Sequence, residues 1–461
     1  MTAPGDEERL LTAPMLGIAL GAILSPLNST MLAVALPSVM DEFSVDAATV
    51  ASLVTLYLAS VAITLPASGS IGDRFGHRGS FLVGVAGFGA ASLLAATAAS
   101  FPILALSRVL QAVSGALVST SSTALVRAEA PPTRRGAAFG LFDSLTSISA
   151  AVGPLIGGVL VAALGWRSLF LLAVPISIVA VIAVARIARP AVIERVASRP
   201  IDILGLVLLG GTIVAALIGI RSPLDGSIGS ASIASAVVLG AAFIGVELRS
   251  DHPAVDPQLI ATPTFAAALA GVFGMTVILH GCFLVVPLLI ERLQGGSAAT
   301  TGLVLLGISA FWAIAAPFGG RRSDRVGRRK PAVIGAALTA IGLGILTILG
   351  TSATWLGLAL LLSLVGTGMG LAGSPRQTAA MEAVGPERVG MAAGTYYTGR
   401  YLGGVVGASV AGAVLGTGVT ADAVSLVFLV LAVTGALVTL ASFGLPGDHV
   451  QRAVEPSISP T

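Results

Sequence analysis

The chain is written in blocks of about twenty apolar residues, each closed by a short cluster of charged, glycine or proline residues. They fall at roughly 13–36, 48–68, 80–99, 102–126, 137–163, 167–187, 203–220, 229–247, 264–290, 300–318, 331–350, 353–373, 390–417 and 422–444. A helix needs about 20 residues to cross the hydrocarbon of a bilayer. In lipid a segment must satisfy its own backbone hydrogen bonds, so only helices and closed barrels cross. Barrel strands read as alternating segments of roughly ten residues, and these blocks neither alternate nor stop at ten. The chain is therefore expected to be an all-α integral membrane protein with about 14 transmembrane helices. Composition agrees, because 10% charged residues against the usual quarter or so cannot coat a water-facing surface.

The distribution of charge sets the expected topology. With both termini in the cytoplasm, Arg74, Arg78, Arg127, Arg134, Arg135 and the run from Arg321 to Lys330 fall inside, while only Arg167, Arg221 and Arg292 fall outside. This is the positive-inside pattern, and it requires an even number of spans. The opening MTAPGDEERL has no positive n-region or small-residue cleavage site, so the first block is expected to be a retained span. A net charge of +3 gives no argument for nucleic acid, and the single cysteine, Cys282, excludes an internal disulfide and a Cys-rich metal site. No Gly-x-x-x-x-Gly-Lys-Ser/Thr loop is present, so neither ATP nor any other cofactor is expected.

An internal repeat emerges from the charged connections. GSIGDRFGHR (Gly69 to Arg78) and GRRSDRVGRR (Gly320 to Arg329) share Gly, Asp, Arg, Gly and Arg at equal spacing, an offset of 251 residues. The first and ninth blocks show the same offset. The expected organisation is a cytoplasmic tail over 1–12, a six-helix half over 13–188, a linker over 189–202, an inserted helix pair over 203–247, a loop over 248–263, a second six-helix half over 264–444, and a tail over 445–461. Repeated halves with a site between them at the bilayer midplane characterise secondary transporters.

The motifs themselves resemble a known family. GSIGDRFGHR is similar to the signature loop of the major facilitator superfamily. LNSTMLAVALP (Leu27 to Pro37), SRVLQAVSGAL (Ser107 to Leu117), VGPLIGGVL (Val152 to Leu160), WRSLF (Trp166 to Phe170) and HPAVDPQLI (His252 to Ile260) resemble the 14-helix drug:proton antiporter branch. The resemblance implies a major-facilitator fold of two six-helix halves with two helices inserted between them. It also implies export of amphipathic drugs, antibiotics or related metabolites across the cytoplasmic membrane in exchange for protons. Its partners would be a small-molecule substrate, protons and the bilayer.

Residue by residue, Gly69, Gly72, Asp73, Arg74, Gly76 and Arg78 form the expected gating loop, whose glycines permit close approach and whose Asp73 can cap a helix or pair with an arginine. Gly153, Pro154, Gly157 and Gly158 form the helix-five antiporter motif, a small-residue face for tight crossing with a proline bend. Arg108 is either a proton-coupling charge or a side chain snorkelling to the edge. Many members of the branch carry an acid where this chain has Asn28, and an amide releases no proton. Asp143 is the substitute candidate for coupling, with a solvated first-turn acid as the alternative. His280, titratable near neutrality, is a third. Tyr57, Gln111, Trp312, Tyr396, Tyr397, Arg400 and Asn28 are pocket candidates, the tyrosines offering π-faces to a cationic or aromatic ligand. The departure at Asn28 leaves a second reading open, a metabolite exporter or facilitator without the usual proton coupling.

Overall fold

The computed structural model describes residues 13–129, 135–186, 202–221, 227–250, 257–384, 389–416 and 418–447. Its long helices are α1 (Ala13–Phe43), α2 (Ala47–Phe75), α3 (His77–Ala96), α4 (Phe101–Glu129), α5 (Arg135–Leu164), α6 (Arg167–Ala185), α7 (Ile203–Arg221) and α8 (Ser227–Glu247). After the single turn α9 (Pro257–Ile260) follow α10 (Pro263–Leu288), α11 (Ala298–Val326), α12 (Arg329–Leu349), α13 (Trp355–Glu382), α14 (Val389–Gly416) and α15 (Ala421–Ser442). A π-helical turn, Leu289–Leu293, continues α10. Among the described residues every regular element is helical, and eleven helices are long and apolar enough to cross a membrane.

Local chemistry fixes the helix ends, and it repeats. Asp46 caps α2 by accepting from the Thr49 N–H at 2.7 Å, and Ser297, 251 residues later, caps α11 by accepting from the Thr300 N–H at 3.2 Å. Gly76 and Gly327, again 251 apart, end α2 and α11 at φ 90° and 83°, a backbone region that favours glycine. Several helices outrun their apolar blocks: α1 continues to Phe43, α2 to Phe75, α11 to Val326 and α13 to Glu382. The added turns carry charged and glycine residues that do not need lipid, so hydropathy underestimates them. The expected gating loop is one such case. Gly69 to Phe75 are the last turns of α2, and only Gly76 separates it from α3.

Helices α1–α6 pack among themselves, as do α10–α15, and the two sets touch through α2 with α14, α5 with α11 and α1 with α10. These contacts gather at one end. A single apolar core there joins residues of both sets, from Met31 to Leu53 with Met275 to Ile308. At the opposite end the sets have separate cores, one around Phe81, Phe88 and Val126, the other around Phe265, Ala379 and Ala392. The bundle is therefore closed at the end where α2 and α11 begin and parted where they finish. Helices α7 and α8 pack on each other, and α7 touches α2 and α14. The apolar stretch of α8 is only 6% buried, which puts this pair on the outside.

Candidate substrate and coupling site

Two small-residue crossings close the shared end. A Cβ on Gly158 of α5 would stand 2.7 Å from the carbonyl oxygen of Ala298 on α11, and one on Gly302 of α11 would stand still closer to the Pro154 carbonyl oxygen. A Cβ on Gly412 or Gly416 of α14 would meet Ala51 or Ala48 of α2. Gly153 and Gly157 instead face Thr30 and Met31 of α1. The expected antiporter motif is thus two surfaces, with Gly153 and Gly157 packing inside the first helix set and Gly158 packing across to the second. Ion pairs rim this end. The Arg292 guanidinium binds Asp41 at 2.5 Å and the Pro37 carbonyl at 3.2 Å. Arg167 and the Trp166 indole N–H both donate to Glu42, each at 2.6 Å. Asp41 and Arg292 lie 251 residues apart, so they occupy equivalent places in the repeat.

Deeper in the bundle, Arg108 is the eighth residue of α4 and 1% exposed, which rules out snorkelling. Its Nη1 donates to Asn28 Oδ1 and to Gln111 Oε1, both at 2.6 Å. Its Nε reaches the Leu53 carbonyl at 3.4 Å, and its guanidinium lies 4.3 Å from the centre of the Tyr57 ring. Gln111 in turn donates to Ser92 at 2.8 Å, and the Tyr57 hydroxyl bonds Ser25. Each of these partners of the guanidinium is neutral: an amide, a carbonyl or a ring face.

The second helix set supplies the other wall. Arg400 on α14 is half-buried and lies within electrostatic reach of His280, Tyr396 and Tyr401, and Tyr401 also faces Tyr57. His280 bonds the Thr276 carbonyl of its own helix at 3.0 Å, and the missing side chain of Gly404 leaves its imidazole room. Tyr397 accepts from Gln377 at 3.1 Å, and the rings of Tyr396 and Tyr397 meet edge to face at 6.0 Å. Trp312 stands apart on α11, its backbone carbonyl against Gly370. Asp143 lies on α5, but its side chain, like that of Asp73, is outside the described residues.

Sequence reasoning passed over Arg376. It lies on α13, three residues beyond the expected end of its apolar block, and is 1% exposed with Nε and Nη2 unpartnered. Gly271 of α10 makes its space, since a Cβ there would collide with Nε and Cδ. The signal was present as an arginine flanked by small and apolar residues, hidden by a block boundary drawn too early.

At the parted end the residues of the expected gating loop divide. Gly69 has nothing within 4 Å of a built Cβ, whereas Gly72 makes room for the His77 imidazole, so close approach holds only for Gly72. Arg74 is exposed. Arg78 donates to the Val184 and Ala185 carbonyls that end α6, at 3.4 and 2.8 Å, a cationic cap on C-terminal carbonyls. Its repeat counterpart Arg329 donates to the Leu445 carbonyl at 2.8 Å, three residues past the end of α15. In the second repeat Arg328 bridges Asp324 at 2.6 Å and Glu382 at 2.7 Å. The Glu382 hydrogen bond raises the guanidinium pKa further, so Arg328 keeps its charge.

The sequence profile of the Major Facilitator Superfamily matches residues 18–408 and 264–459. The chain belongs to the major facilitator superfamily. Its relatives include the uncharacterized MFS-type transporter YvkA of Bacillus subtilis, 30% identical over 95% of this chain and 97% of that one. The tetracenomycin C resistance and export protein of Streptomyces glaucescens is 31% identical over 87% and 75%. The multidrug resistance protein Stp of Mycobacterium tuberculosis is 31% identical over 89% and 76%. In fold it is similar to a D-xylose-proton symporter, with a TM-score of 0.67 at 14% identity over 94% of this chain and 98% of that one. As a member of this superfamily it is a multi-pass membrane transporter of small molecules and not an enzyme.

Proposed function

We propose that the protein exports amphipathic small molecules, drugs, antibiotics or related metabolites, across the cytoplasmic membrane by alternating access, in exchange for protons. Fourteen spans in two six-helix halves, with α7 and α8 inserted and both termini cytoplasmic, give the topology. On that topology the closed end faces outward and the parted end faces the cytoplasm. The observation that carries the reading is the crossing of α5 and α11: it is glycine on both sides, and it joins the halves at one end only. Such a contact separates as a unit when the opposite end closes. Relatives named for tetracenomycin C export and for multidrug resistance support the direction and the substrate class.

Asp143 is the proposed protonated group, with Arg108 and His280 as its charged and titratable companions. Gly69, Gly72, Asp73, Arg74, Gly76 and Arg78 form the proposed inner gate. The test is substrate efflux from proteoliposomes under an imposed pH gradient, for the wild type and Asp143→Asn. Uphill transport that follows the gradient in the wild type but not in the variant is expected. Indifference of the wild type to the gradient overturns proton coupling. The hydrogen bond from Arg108 to the neutral Asn28 favours a second reading, export without the usual coupling, and that indifference is the result it predicts.

A further inference from the structure

Of the four tyrosines of the chain, Tyr57, Tyr396 and Tyr401 stand beside arginines of the bundle interior, and Tyr397 meets Tyr396 edge to face. Arg108 lies under the Tyr57 ring. Arg376 and Arg400 both lie within electrostatic reach of Tyr396, and Arg400 within that of Tyr401. These arginines are set deep in their helices, at the eighth residue of α4, the twenty-second of α13 and the twelfth of α14. Described carboxylates behave in the opposite way. From Asp41 and Glu42 closing α1 to Asp324, Glu382 and Asp422 in the terminal turns of α11, α13 and α15, they keep to helix ends. Among the described side chains, which do not include that of Asp143, no acid faces these three groups, and the interior they line is cationic.

A buried ion without a counter-charge is strongly unfavourable, and ionisable groups within a membrane mark function by default. Arg108 is eased by amide oxygens and a ring face. Arg376 has two nitrogens with no partner, and its side chain fills the space left by the missing side chain of Gly271. Arg400 is half-buried on the α14 wall. A guanidinium presents a planar fork that suits carboxylate-like oxygens and stacks on aromatic faces. The geometry points to an anionic cargo: an organic anion with an aromatic body, its carboxylate, phenolate or sulfonate met by Arg400 with Arg376 behind it, and its rings set among the tyrosines.

This inference rests on the export reading and adds the sign of the substrate. It also gives the loss of the helix-one acid a reason. An anion leaving a negatively charged interior is driven by the membrane potential, and 100 mV sustains about a 40-fold gradient of a monovalent ion. An acid at Asn28 would neutralise Arg108 and weaken the field that draws the anion in.

The test uses the full-length protein in liposomes with a potassium diffusion potential set by valinomycin. Probes are fluorescein and 8-anilinonaphthalene-1-sulfonate as anions, and ethidium and rhodamine 6G as cations. Flux of the anions, reversing with the sign of the potential, is expected. Arg400→Gln should slow them about tenfold, the effect of one lost charge-assisted hydrogen bond, and Arg400→Lys, which keeps the charge but not the fork, should restore only part of the rate. Transport of the cations alone overturns the anionic cargo and leaves the export reading intact. Anion flux unchanged in both Arg400→Gln and Arg376→Gln overturns it as well, and absence of flux for all four probes removes both readings.

Discussion

Gly158→Ala should open the closed end of the bundle. The new Cβ would stand 2.7 Å from the Ala298 carbonyl oxygen and 3.1 Å from Gly302 Cα, about 0.7 Å short of the 3.4 Å at which ordinary contact begins. Both neighbours are backbone, so no rotamer change relieves the clash, and α5 and α11 must part. Overpacking of this kind costs about 1–3 kcal/mol, and at about 1.4 kcal/mol per tenfold it shifts the closed-to-open ratio about 5- to 150-fold. An open state of about 1% would then rise to roughly 5% at the low end of that range and to about 60% at the high end. Spin labels at Ala99 and Ser352, exposed residues on the two sides of the closed end, would report it as a second, longer distance by electron–electron resonance. Gly157→Ala is the control, because its Cβ meets Met31 of α1 within the same half and strains open and closed states alike. A longer distance in Gly157→Ala, or none in Gly158→Ala, would refute the assignment of these two glycines.

Two further outcomes test the buried polar chemistry and the packing. Asn28→Leu removes an acceptor from a buried guanidinium and should cost about 1.5–3 kcal/mol of stability, while Asn28→Asp should melt no lower than wild type; a leucine variant as stable as wild type contradicts the Arg108 network. Gly366→Ala, whose Cβ would collide with the Ile308 carbonyl across α11 and α13, should lower the thermal midpoint more than Arg328→Ala. The Arg328 pairs are part-exposed and worth at most about 1 kcal/mol each; the reverse order would show that the bridge, not helix packing, holds α11 to α13.

Much of the architecture was legible because hydropathy and the 251-residue offset are one-dimensional signals. The apolar blocks locate the long helices to within a few residues at most ends, and the misses at α1, α2, α11 and α13 come from turns that continue after the need for lipid has stopped. The site was less legible. That Arg108, Asn28, Gln111 and Tyr57 converge requires α1, α2 and α4 to be placed in space, and no spacing rule states it. Arg376 escaped for a related reason, since hydropathy judges a residue by its chain neighbours, whereas its burial is set by Gly271, 105 positions away. Gly157 and Gly158 show the same limit, since adjacent letters in one motif face different halves of the molecule.

The Asp41–Arg292 pair has a consequence for how such a chain arose. Each residue sits at the other's equivalent place in the repeat. In an assembly of two identical halves that place would hold one residue type, and it would meet a copy of itself across the axis: acid against acid, or arginine against arginine. Opposite charges there require two copies free to mutate separately, which a single fused gene provides and a homodimer does not. This clasp is accordingly younger than the duplication, and the protein's asymmetry is something its ancestry could acquire only once there were two copies to diverge.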